Sequence, residues 1–197
     1  MPIGIPKVPF FSPGDDDSSW GELYNLVYRS RVLVLGEEIT HETANNIGGL
    51  MIYLSLEDKK RDIHLLINSK GGGMLPGLAI YDIMQCIIPE VHTLCIGIAA
   101  SMASLLLVGG TITKRAALPH AKIMIHEPVM KSFDSGAGNA LGQAIELEYL
   151  RNCVAKIYAE RTGKPLWHIL HDLDRNDFFT PEDAQAYGLI DEIAHKK

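Results

Sequence analysis

Apolar residues along this chain follow two rhythms, and their order predicts an architecture. Residues 63–67 and 91–96 are short, nearly continuous apolar runs of the kind that lie buried in a parallel sheet. A glycine turn follows each: Asn68-Ser69-Lys70-Gly71-Gly72-Gly73 after the first, Gly97 after the second. Helical spacing then takes over, across about 75–88 and again from near Ser101. Strand, glycine turn and helix, twice in succession, is the grammar of parallel α/β units. Upstream, Ser19 is expected to cap a short helix through Tyr28, with Trp20, Leu23, Tyr24 and Val27 on one face. Residues 31–35 read as a strand, and Thr40 opens a helix on which Ile47, Leu50, Met51 and Leu54 recur at helical spacing. Downstream, 122–126 alternates as a strand and 129–140 is loose and polar. Helices are predicted over about 139–162 and 165–173. Thr180-Pro181-Glu182-Asp183 is a strong helix start, Gly188 a stop, and 189–193 closes the fold.

Composition narrows the function classes. The chain has 197 residues, 47% of them hydrophobic, enough to bury a core, and 21% charged, against about 25% typically. Its net charge is −6, and the one basic cluster, Lys59-Lys60-Arg61, reads as a solvated turn, so no basic sheath for nucleic acid is present. Three cysteines at wide spacing (Cys86, Cys95, Cys153) form neither a disulfide framework nor a metal-ligand motif, and a reducing compartment follows. The most apolar stretch, 94–110, is interrupted by Ser101, Ser104 and three glycines, short of the roughly 20 apolar residues of a membrane span. The opening residues do not read as a secretory leader or an Arg-rich transit peptide. Residues 1–18, with four prolines and Asp15-Asp16-Asp17-Ser18, read as an arm without a core of its own, and 19–197 as a single domain.

Three segments carry chemistry. In Gly97-Ile98-Ala99-Ala100-Ser101-Met102-Ala103-Ser104 a hydroxyl sits where a strand hands over to a helix, flanked by small residues. Such a turn exposes the oxygen beside helix N–H groups, the physical logic of a nucleophile elbow. The plainer role for Ser101 is a helix cap. In Ile123-Met124-Ile125-His126-Glu127-Pro128, alternation sets Met124 and His126 on one face, and Pro128 ends the strand. A histidine there can reach a nucleophile on a neighbouring strand's turn as general base, or simply bond to backbone. Gly71-Gly72-Gly73 lets backbone N–H groups approach a ligand, as an oxyanion hole requires, or makes only a tight turn. Neither spacing of a phosphate-binding loop is present.

Taken together and in this order, the segments resemble the proteolytic subunits of the Clp protease family, over nearly the whole chain. Ala99–Ser104 is similar to the family's nucleophile motif, and Met124-Ile125-His126-Glu127-Pro128 to its histidine motif, where Gln is commoner than Glu127. Ile67-Asn68-Ser69 with Gly71-Gly72 resembles the glycine turn, and Tyr187-Gly188-Leu189-Ile190-Asp191 the C-terminal motif. Residues 1–10 and 161–167 resemble plastid-encoded members in particular, which implies the chloroplast stroma.

The resemblance implies an α/β spiral of βα units of the Clp and crotonase type, with a projecting strand-and-helix handle over about 128–160. It implies stacked seven-membered rings enclosing the active sites, the arm lining an axial pore, and an ATP-dependent Clp unfoldase as partner. Protein substrates would be cut to short peptides by Ser101 with His126 as base, Gly72 and Met102 supplying the oxyanion-hole N–H groups. That chemistry requires no metal or cofactor. Asp174 and Arg175 match a pair that links ring contact to active-site geometry.

Three positions depart from the family pattern. Asn176 occupies the third triad position, where the family has Asp, and Asp177 is the runner-up one residue on. An amide orients the histidine without stabilising its cation, so activity is expected to be weakened. A mainly structural, catalytically poor ring subunit is the alternative, although Ser101 and His126 are both kept. A crotonase-type enzyme acting on thioesters would share the fold without needing that pair. Lys70 replaces a Pro in the glycine turn, and His64, Leu66 and Cys86 make the unfoldase-docking groove less aromatic.

Overall fold

In the computed structural model, which describes residues 6–10, 19–126, 137–175 and 177–194, the chain opens as a hairpin. Strand β1 (Lys7–Phe10) pairs antiparallel with β2 (Ser19–Glu22), Lys7 facing Glu22. The expected helix from Ser19 therefore begins later, as α1 (Leu23–Arg29). The hairpin claims the backbone of 19–22, Gly21 is a poor helix former, and the Leu23 N–H donates to Pro6 O at 3.0 Å. Most of the predicted arm lies outside the described residues.

Alternating strands and helices follow: β3 (Val32–Leu35), α2 (His41–Glu57), β4 (Ile63–Ser69), α3 (Met74–Cys86), β5 (Val91–Ala100), α4 (Met102–Val108), β6 (Arg115–Ala117) and β7 (Lys122–Met124). The chain ends with α5 (Ala137–Thr162), α6 (Leu166–Leu173), β8 (Phe178–Phe179), α7 (Pro181–Tyr187) and β9 (Glu192–Ile193). Thr40 caps α2 by accepting the Thr43 N–H, and Thr180 and Asp183 form the reciprocal capping box of α7. Gly188, at φ 95°, stops α7 in the left-handed region. Of the residues expected to form the handle, those from 137 to 160 lie in α5, and the rest fall outside the described residues.

The main sheet runs β3-β4-β5-β6-β9, parallel throughout. Its core side is packed by Leu33, Leu65, Ile67 and Cys95 against Met51, Ile80 and Leu105, all fully buried. Burial pushes the Cys95 thiol up to about 11, so it stays a neutral core group at working pH.

Strand β5 serves two layers. Its first half pairs with β6 and its second half, Ile98–Ala100, with β7. The switch follows a register shift between Ile67 and Ser69, where Asn68 Oδ1 accepts the Ile98 N–H at 3.1 Å. A Cβ on Gly97 would stand 2.4 Å from that oxygen, so the residue before Ile98 has to be glycine for the strand to bend here. The bend sets the direction in which Ser101 leaves the sheet.

Candidate active site

Ser101 occupies the hand-over from β5 to α4 with φ 56° and ψ −128°, a region a residue with a side chain rarely enters. Such strain costs on the order of 1–3 kcal/mol and persists only where the surroundings over-determine it. Here they do. The Ser101 N–H donates to Met124 O at 3.0 Å, binding the elbow to β7. Its carbonyl accepts the Ser104 N–H at 3.0 Å and the Leu105 N–H at 3.2 Å, the opening bonds of α4. The side chain makes no capping bond, so the hydroxyl is left for other work.

A buried network sits beneath the elbow. Ser104 Oγ lies 2.7 Å from both Ser101 O and Met124 O, and 2.8 Å from the Tyr158 hydroxyl. Tyr158 reaches in from α5, itself 1% exposed, with its hydroxyl 3.4 Å from Ser101 O. Burial drives the phenol's pKa far above its ordinary value, only partly opposed by the Ser104 bond, so it stays a neutral donor. Ser104 stands three residues after Ser101 in the motif; Tyr158 had no sequence signal beyond an aromatic residue in a long helix.

The glycine turn closes on the elbow from β4. Ser69 Oγ donates to Glu37 O at 2.6 Å and accepts the Gly71 N–H at 3.1 Å, bracing the turn. Ile39 pairs with Gly72 in parallel: the Ile39 N–H donates to Gly71 O at 2.9 Å and the Gly73 N–H to Ile39 O at 2.8 Å. That leaves the Gly72 N–H on the other edge, with no hydrogen bond to any described residue. The Met102 N–H, first in α4, likewise has none among the described residues. A Cβ on Gly71 would lie 3.1 Å from the Met102 nitrogen, so turn and elbow are in direct contact.

His126 follows β7, which runs parallel to β5 with Ala100 opposite Met124. Ser101 and His126 thus leave adjacent strands at the same edge of the sheet. The expected alternation holds: Ile123 and Ile125 are buried at 0% and 1%, while Met124 and His126 are half-buried on the other face. The strand is shorter than expected, its ladder ending at Met124.

Behind β7 lies a cavity of about 210 Å³, lined by Ile125, Asp172, Arg175, Asp177, Phe179 and Tyr187. Asp172 is committed there, accepting the Tyr187 hydroxyl at 2.6 Å and standing 3.2 Å from His168 Nε2. Burial pushes its carboxyl up, but the bonds from Tyr187 and His171 outweigh that and hold it below the ordinary range. Asp177, facing the same cavity, makes no hydrogen bond or ion pair with a described residue. Asn176 lies outside the described residues. Asp174 closes α6 and accepts from Arg151 Nη2 at 2.7 Å, an exposed pair within the chain. Lys70 lines a separate cleft of about 450 Å³ beside Glu37 and Glu38, next to the turn.

Comparison with known proteins identifies the family. A family model described as Clp protease matches residues 15–197. The chain is 54% identical over 194 residues to an ATP-dependent Clp protease proteolytic subunit of Vitis vinifera, covering 98% of this chain and 99% of that one. It is 53% identical to the protein of the same name from Spinacia oleracea, with the same coverage. The Psilotum nudum protein of that name is 50% identical over 194 residues, 98% of each chain. An elbow strained at its serine, a glycine turn set against it and a sequence match running almost end to end lead to one assignment: this chain belongs to the Clp protease family.

Proposed function

We propose that this chain is a serine endopeptidase subunit in which Ser101 attacks a peptide carbonyl with His126 as its base. The Ser101 Oγ–carbonyl bond forms as the imidazole takes the hydroxyl proton, and the carbonyl oxygen becomes an oxyanion. The Gly72 and Met102 N–H groups are its donors, neither bonded to a described residue and both carried on segments in contact. Collapse breaks the C–N bond as His126 passes the proton to the leaving amine, and water then hydrolyses the ester on Ser101. Asn176 takes the third triad place, with Asp177 as runner-up, and weakens the step that makes an imidazolium.

The single observation that carries this reading is the strained Ser101 backbone, held by β7 on one side and by α4 on the other. A structural helix cap has no need of that conformation, whereas an exposed nucleophile does.

Membership of the family supports a wider assembly. The subunit works within an oligomer and with an ATP-dependent Clp unfoldase, cutting unfolded proteins to short peptides. Two stacked seven-membered rings, an axial pore lined by residues 1–18 and a handle over 128–160 complete the proposal, with Asp174 and Arg175 coupling ring contact to the site. The plant origin of the relatives and the resemblance of the N-terminal residues to plastid-encoded members support a plastid setting, in the stroma.

A fluorophosphonate probe tests the chemistry directly. In the assembled particle Ser101 should be labelled, and His126→Ala should abolish labelling and peptide hydrolysis alike. An intact particle in which Ser101 stays unlabelled would make this a structural ring subunit instead.

A further inference from the structure

Next to the glycine turn, α3 and α5 border another, open cleft of about 290 Å³. That is roughly ten water volumes, room for one long side chain and little else. One wall is the start of α3, from Gly73 to Pro76; the other is a face of α5. Gly73 is the residue immediately after Gly72, and consecutive Cα atoms stand only about 3.8 Å apart. A residue whose carbonyl oxygen takes the Gly72 N–H therefore has its own side chain beside this cleft.

The lining has two characters. Met74, Leu75, Leu147 and Leu150 are apolar. Gln143 and Glu146, spaced i and i+3, bring acceptors to the same face of α5. Gln143 Oε1 is completely buried yet has no hydrogen-bond partner among the described residues. A buried amide oxygen left so is a cost that an incoming donor relieves. Glu146 is exposed and is the one carboxylate among the described lining residues, which include His41 but no lysine or arginine. An apolar sleeve ending in acceptors fits a side chain with a hydrocarbon stem and a cationic, hydrogen-bond-donating head.

We propose that this cleft receives the residue on the acyl side of the scissile bond, and that Gln143 and Glu146 select lysine or arginine there. The inference rests on the reading of Ser101 as the nucleophile, and names the substrate class that this site prefers.

The test uses the assembled particle and fluorogenic peptides that differ only in the residue before the bond cut: lysine, leucine or glutamate. Fluorophosphonate labelling of Ser101 is measured in parallel. Lysine should exceed glutamate in kcat/KM by at least about tenfold, because like charges at a contact suppress a partner. Glu146→Lys should invert that ratio, which a residue of merely structural importance would not do. Gln143→Leu should shift preference from lysine to leucine, and the near-isosteric Glu146→Gln guards against a charge-reversed variant that fails to assemble. If Ser101 labels normally but the lysine-to-glutamate ratio is the same in wild type, Glu146→Lys and Glu146→Gln, the cleft does not select and this inference is overturned alone. If Ser101 does not label and no peptide is cut, the underlying reading falls, and this one with it.

Discussion

Gly71 and Ser101 are packed so closely that a Cβ on the glycine would stand 2.8 Å from the Cβ of the serine. The same atom would meet Ala100 O at 2.6 Å, and Gly71 itself sits at φ 95°. No side chain fits, and no flexible neighbour can yield, since two of the three nearest atoms are backbone. Gly71→Ala should therefore displace the elbow or the turn rather than be absorbed. A shift of about 1 Å at such a site can cost about 10²-fold in rate. The expected outcome is a loss of at least that size in peptide turnover, with thermal stability reduced by only about 1–3 kcal/mol. Turnover and melting measured on one preparation separate the two effects.

Tyr158→Phe removes the hydroxyl that meets Ser104 Oγ at 2.8 Å beneath the strained Ser101. The ring still fills its fully buried site, so the cost is that of an unmet polar partner, about 1–2 kcal/mol. Because Ser104 braces the Ser101 carbonyl, turnover should fall several-fold more than that of a surface tyrosine variant such as Tyr53→Phe. Thermal unfolding and steady-state kinetics together check both expectations. A variant with unchanged stability would mean that the network is not holding the elbow.

Much of the site could be read from the sequence because its signals are local. Ser101 stands at a strand-to-helix boundary, and the alternation of residues 122–126 already set His126 on the face of Met124. Periodicity found the central strands and the long helices for the same reason. What it missed is non-local. Residues 19–22 become a strand only because residues 7–10 pair with them, a fact no window of helical spacing contains. Three-residue β6 and two-residue β8 are too short to show a rhythm, and exist because β5, β9 and β7 offer partners. Tyr158 lies 57 residues from Ser101 along the chain, so its part in holding the elbow appears only once α5 packs on α4.

Asn176→Asp should restore the charge that a serine-histidine pair uses to stabilise its imidazolium. The reverse change in a serine-protease triad lowers turnover by roughly 10⁴. A rise of at least about tenfold in kcat is therefore expected in the assembled particle. A smaller gain would mean the position is not limiting, and would direct attention to Asp177, which faces the cavity behind β7 without a partner among the described residues. Asp177→Asn, measured beside it, should lower turnover markedly only if that residue supplies the charge.

Acid should loosen the C-terminal closure where Asp191 meets Arg115. This arginine, 4% exposed on β6, gives three bonds to the Asp191 carboxylate: backbone N–H at 3.0 Å, Nε at 2.9 Å and Nη2 at 2.7 Å. Burial pushes the Asp191 carboxyl up, but the Arg115 bonds outweigh it and hold it below the usual range. A carboxylate with a depressed folded-state pKa contributes stability that is fully present above its unfolded value, about 3.9, and is lost as pH falls through the folded one. Stability should accordingly drop below about pH 4, and Asp191→Asn should cost about 3 kcal/mol at pH 7 by leaving a buried guanidinium unpaired. The variant's stability should also vary less between pH 5 and pH 2, so that the two curves approach one another in acid. Denaturant midpoints across that range decide the matter: parallel curves would mean that Asp191 titrates alike in the folded and unfolded chains.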